Sequence, residues 1–178
     1  MQSPKGSRHL VDASSTGYNR RVVFLVATAA AAWFAFLLVA PIAPPAVAAI
    51  AYGLASLVCH QIPARSFHYG AVQLPVCARC IGIYGGAAAG ALLFANAPTR
   101  AGSTSGRTAL LAGAVPVAAS VALEWSGTWA PGNGIRALTG VVLGLAAASV
   151  VIGAAATLHY DECAPRRPIA PSPPPTRI

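Results

Sequence analysis

From Val22 to Ala40 the chain carries no charged residue, and nothing else in it limits the fold so tightly. A helix rises about 1.5 Å per residue and needs about 20 residues to cross the hydrocarbon of a bilayer. This segment is long enough. Four more apolar stretches follow, Ala46 to about Cys59, Cys77–Phe94, Thr108 to about Trp125 and Ile135–Leu158. In lipid a spanning segment must satisfy its own backbone hydrogen bonds, so such stretches are read as helices. The whole chain agrees, with 56% hydrophobic and 9% charged residues, where soluble domains carry about 25% charged. The expected fold is all-α, an integral membrane helical bundle of four to five transmembrane helices.

The domain reading follows. Residues 1–19 are polar and read as an unstructured tail. Residues 20–158 form one helical domain, and 159–178, rich in Pro and Arg, form a second unstructured tail. Ala46-Val47-Ala48 resembles a signal-peptide cleavage site, but the apolar run before it is too long and its polar leader too extended. Pro44-Pro45 suit the first turn of the second helix, which is shorter than a comfortable span. It either crosses with a tilt or inserts part way. Pro63 and Pro75 bracket a polar loop, Ile62–Val76.

Net charge is +8, from 12 Lys and Arg against 4 acidic residues. Bases flanking apolar segments fit the lipid bilayer and its anionic headgroups. No basic soluble face interleaved with aromatics is present, so nucleic acid is not an expected partner. With four spans, Lys5, Arg8, Arg20, Arg21, Arg100, Arg107, Arg166, Arg167 and Arg177 share one face, which the positive-inside rule makes cytoplasmic together with the N-terminus. With five spans they divide almost evenly. In either case the third and fourth helices form a hairpin. The loop before Cys77 and the loop after Glu124 then lie on one side.

Polar chemistry is concentrated in CHQIPARSFHYGAVQLPVCARCIGIYGG, which starts at Cys59 and holds three of the four cysteines and two of the four histidines. Such groups are costly near a bilayer and mark a site. Three readings compete. Cys59, Cys77 and Cys80 hold a zinc-like divalent metal, with His60 or His68 as fourth ligand, since thiolate and imidazole suit tetrahedral zinc. Alternatively Cys77-x-x-Cys80 is a redox pair at a helix start, with Cys59 as resolving thiol. In the third reading the cysteines are small, inert apolar side chains that only pin helices together.

Gly82, Gly86 and Gly90, and Gly140, Gly144 and Ala148, recur every four residues and form stripes that let helices approach closely in lipid. Arg79 precedes the first stripe by one turn and Arg136 the second. If the stripes pack together, these arginines converge, and with Arg65 they form an anion-binding site for a lipid phosphate or another phosphate-bearing ligand. In the plainer reading each arginine snorkels to a headgroup. Glu124 is expected to pair with Arg79 or Arg136. Its alternative role is catalytic, as a general base acting through a metal-bound water. Gln61, Ser66 and Asn133 can complete the site by hydrogen bonding. His9, His159, Asp12, Asp161, Glu162 and Cys163 lie in the tails and are read as incidental.

These residues resemble a prokaryotic family of predicted membrane proteins, domain of unknown function 2085. Its pattern is CHQ-x-P-x-RSF, then LP-x-CARC-x-GIY-x-G, an acidic residue, and Arg-x-x-x-Gly. Cys59, His60, Gln61, Pro63, Arg65, Ser66, Phe67, Pro75, Cys77, Arg79, Cys80, Gly82, Tyr84, Glu124, Arg136 and Gly140 match in order. The motif core spans roughly 46–144. Ile81 stands where threonine is usual, and Glu124 where aspartate is expected. The resemblance implies a small protein of the prokaryotic cytoplasmic membrane. It supplies neither an activity nor a mechanism.

Overall fold

Apolar periodicity without charge becomes helix wherever it persists. The structure, a computed structural model, describes residues 8–96 and 103–157, with side chains placed over 21–95 and 106–154. Its helices are α1 (Arg8–Val39), α2 (Pro45–Ser56), α3 (Ala78–Asn96), α4 (Ser103–Trp125) and α5 (Asn133–Thr157). Four of them are long and apolar enough to cross a membrane, over Arg21–Ile42, Ala78–Ala95, Gly106–Trp125 and Asn133–Ala154. The second helix is not. Its 12 residues span about 18 Å at about 1.5 Å each, short of the roughly 30 Å hydrocarbon core. Pro44 caps it and Pro45 opens it, as the sequence led one to expect.

Two expectations are corrected. The first helix begins at Arg8 and not at Arg20, so residues 8–19, read as part of an unstructured tail, are helical. Once the apolar span is formed, each preceding residue extends it at the cost of fixing only its own backbone. Residues 1–7 and the tail 159–178, with Cys163, lie outside the described residues. The loop Ile62–Val76 is not wholly irregular. A short 3-10 turn, Pro63–Arg65, leads into an antiparallel hairpin of β1 (Ser66–Tyr69) and β2 (Val72–Cys77). Gly70, with φ of 61°, takes the first central position of the two-residue turn, where a type II′ geometry needs a positive φ. The register shifts between the Ser66–Cys77 and His68–Gln73 pairs. Pro75 lies in that interval and has no N–H to give the ladder.

The glycine stripes pack together as expected. A Cβ at Gly82 would run into the carbonyl of Ala137, one at Gly86 into that of Val141, and one at Gly140 into that of Arg79. Only hydrogen fits there, so α3 and α5 touch backbone to backbone. Large side chains such as Leu25, Leu93, Leu111, Val115 and Leu138 point outward and are exposed, as lipid-facing positions should be. At one end of the bundle the hairpin acts as a plug. Val76 packs with Leu37, Ala55 and Cys59, with Trp33 and Tyr84 alongside. That end also receives the C-terminus of α1, the start of α3, the end of α4 and the start of α5. Arg21 and Arg107 stand at the other end.

Candidate metal and anion site

Cys59 stands just past α2, its N–H bonded to the Ala55 carbonyl at 2.9 Å. The chain then reverses at Gln61, whose φ of 50° is uncommon outside glycine. Several hydrogen bonds hold this turn. Gln61 Nε2 donates to the Tyr52 carbonyl at 2.8 Å, and Gln73 Nε2 donates to the Gln61 carbonyl at 3.1 Å. The Tyr52 hydroxyl in turn donates to the Gln73 carbonyl. Helix α2, the Cys-His-Gln turn and β2 are thereby fastened into one unit.

β2 delivers Cys77 and the first turn of α3 delivers Cys80, both toward Cys59. The three sulfurs lie within 4.8 Å of one another. All three are free thiols, with Cys59 buried and the other two partly so. Cys77 and Cys80 sulfurs are 3.5 Å apart. The Cys77 backbone N–H donates to Cys59 Sγ at 3.2 Å. The Cys77 thiol is pulled down to about 5. Its hydrogen bond with the Cys80 thiol is the largest cause, opposed by burial and reinforced by the Cys80 and Arg79 backbone N–H groups and the Cys59 thiol. Tetrahedral zinc with Zn–S near 2.3 Å sets its sulfurs about 3.8 Å apart, so this cluster is of the right size for such an ion.

Beside the thiols stands a second cluster. Glu124, at the end of α4, receives Arg136 Nη2 at 2.8 Å, Arg65 Nε at 3.1 Å and Arg79 Nη2 at 3.3 Å. Arg79 Nη2 also donates to Ser120 Oγ at 3.1 Å, and Arg136 Nη1 to Asn133 Oδ1 at 3.0 Å. Asn133 Nδ2 then donates to the Ser66 carbonyl at 3.0 Å, tying the start of α5 to β1. The pairing expected for Glu124 is thus present, and it takes a third arginine as well. Both carboxylate oxygens are engaged and the side chain is only 9% exposed.

One cavity of about 240 Å³ connects the two clusters, lined by Cys59, Cys77, Cys80, Arg65, Arg79 and Arg136 among others. His60 and Gln61 line it too. His60 is exposed and stands outside the close group of three sulfurs. His68 lies on β1, exposed and paired with Gln73, away from the cavity wall. Ser66 is fully buried, its hydroxyl donating to the Ile62 carbonyl at 3.0 Å. Sequence reading overlooked Ser120, Tyr52 and Gln73. Only Ser120 left a signal, since it lies one turn before Glu124 in a run of α4 that is otherwise apolar from Ala109 to Leu123.

Comparison with known proteins agrees with the motif. A 43-residue stretch is 46% identical to "Uncharacterized protein MJ1492" of Methanocaldococcus jannaschii, covering 24% of this chain and 28% of that protein. The chain therefore matches less than a third of that relative's length. No solved structure matches. Residues 59–150, just over half of the 178, match the family described as "Predicted membrane protein (DUF2085)". This chain belongs to that family.

Proposed function

We propose that the protein binds a divalent, zinc-like metal ion through the thiolates of Cys59, Cys77 and Cys80. The observation that carries this is three free sulfurs within 4.8 Å, one from the turn after α2 and two from the junction of β2 and α3. Bringing thiols together without a disulfide, and giving one of them a backbone N–H, is how thiolate metal sites are prepared. His60, next to Cys59 and on the same cavity wall, is the imidazole placed to close the set. Glu124 serves as counter-ion to the arginines. Arg136 and Arg65 donate to its Oε1 and Arg79 to its Oε2, an arrangement that suits charge pairing. The N-terminus lies on the cytoplasmic side and the site opens on the opposite face, because Arg21 and Arg107 mark the far end.

The test is metal analysis of the full chain purified in detergent under reducing conditions, beside Cys77→Ser. About one metal per chain is expected, with loss in the variant. A metal-free wild-type protein in which all four cysteine thiols titrate sinks the proposal. One observation favours a second reading, a thiol–disulfide oxidoreductase: the Cys77 and Cys80 sulfurs are 3.5 Å apart at the start of α3. Thiol labelling before and after reductant separates the two, since a redox pair isolated without reductant gains two labelled thiols on reduction.

A further inference from the structure

Glu124 cannot neutralise the arginines that surround it. Three guanidinium groups face one carboxylate, which leaves two positive charges at the wall of a cavity. Two of these groups are well enclosed, with side-chain exposures of 9% for Arg136 and 16% for Arg79. Hydrogen bonding is equally out of balance. The three side chains offer roughly fifteen N–H donors, against two Glu124 oxygens, Ser120 Oγ and Asn133 Oδ1. The Nε groups of Arg79 and Arg136 are buried without a partner. Uncompensated charge of this kind is expensive near a bilayer unless an anion joins it.

We infer that the cavity takes a phosphate-class oxyanion carrying a single negative charge, seated against Arg65, Arg79 and Arg136 beside the three sulfurs. The single charge rests on the metal reading. Three thiolates around a divalent ion leave one negative charge, so the whole site stands at one positive and a monoanion completes it. A phosphodiester or dihydrogen phosphate has that charge, and its oxygens match guanidinium forks in geometry. The cavity, at about 240 Å³, is several times the roughly 30 Å³ share of one water. It is roomy enough for a phosphate group. Exposed Trp125 and Trp129 flank this end of the bundle, at the level where indole rings meet the membrane interface.

Two probes distinguish the source of the phosphate. One is native mass spectrometry of the full chain released from nanodiscs containing phosphatidylglycerol. The other is titration of the detergent-solubilised chain with inorganic phosphate. Arg65→Gln, at the most exposed of the three arginines (39%), should weaken the bound species about tenfold or more while the fold melts normally. Glu124→Gln removes the competing anion and should tighten binding by a similar factor, whereas a merely structural ion pair predicts the reverse. Retention of phosphatidylglycerol with indifference to inorganic phosphate identifies a lipid headgroup. Binding of inorganic phosphate without lipid retention identifies a soluble ligand. If neither probe binds, or both bind Arg65→Gln as well as wild type, the inference is overturned, and Arg65→Gln decides it alone should Glu124→Gln not fold. Zinc measured on the same samples reports on the thiolates separately, so failure of one site is told from failure of the other.

Discussion

Adding one methyl group at Gly144 should be among the costliest single-carbon changes in the helix interface. The new Cβ would meet the Ile83 carbonyl and sit 2.7 Å from Ala87 N and 3.0 Å from Gly86 C, all backbone atoms of α3. No rotamer change can relieve contacts with backbone. Moving from 2.7 Å to the 3.4 Å of ordinary contact separates the helices by at least 0.7 Å. A gap of that size forfeits a quarter to a half of the dispersion energy along the seam, so Gly144→Ala should destabilise by about 2–3 kcal/mol, near the upper end for overpacking. The natural control is Gly53→Ala in α2, where a Cβ meets nothing within 4 Å. There the better helix propensity of alanine should add up to about 1 kcal/mol. Reversible unfolding in mixed micelles measures both. Equal stability of Gly144→Ala and wild type, or equal losses in the two variants, refutes backbone contact between α3 and α5.

Three further outcomes are expected. In reduced, metal-free protein, alkylation of Cys77 should be nearly flat above about pH 6 and fall as pH drops through about 5; a rate still climbing toward pH 9 means an ordinary thiol. Asn133→Ala leaves the Ser66 carbonyl and an Arg136 N–H without partners, and should cost about 1–3 kcal/mol of stability in the same unfolding assay; a loss under half a kcal/mol says the tie between α5 and β1 is idle. A fluorescent protein fused to the N-terminus should fluoresce in bacteria while a membrane-impermeant thiol reagent reaches the site from outside, and a dark N-terminal fusion reverses the topology.

Much of this architecture was readable in the residues because lipid leaves few options. Uncharged runs had to become helices, and glycines four apart in two of them had to find each other. That pairing carries Arg79 and Arg136 to Glu124, so the ion cluster could be anticipated from spacing. The hairpin could not. Its strands are four and six residues long, with Pro75 interrupting the second, and nothing in so short a pattern separates strand from loop. Only Tyr69-Gly70 hinted at a turn. Arg65 was read as an anion ligand and also joins Glu124, because the turn at Pro63 aims it inward. Tyr52 and Gln73 act through backbone carbonyls, and a carbonyl leaves no mark in sequence.

Convergence of Cys59, Cys77 and Cys80 on one metal ion underlies the proposed function. X-ray absorption at the zinc edge of the purified, zinc-loaded chain measures this directly. A shell of about three sulfurs near 2.3 Å, with one lighter donor at about 2.0 Å, is expected. A spectrum with only nitrogen and oxygen neighbours, or zinc that washes away with the cysteines intact and reduced, contradicts it.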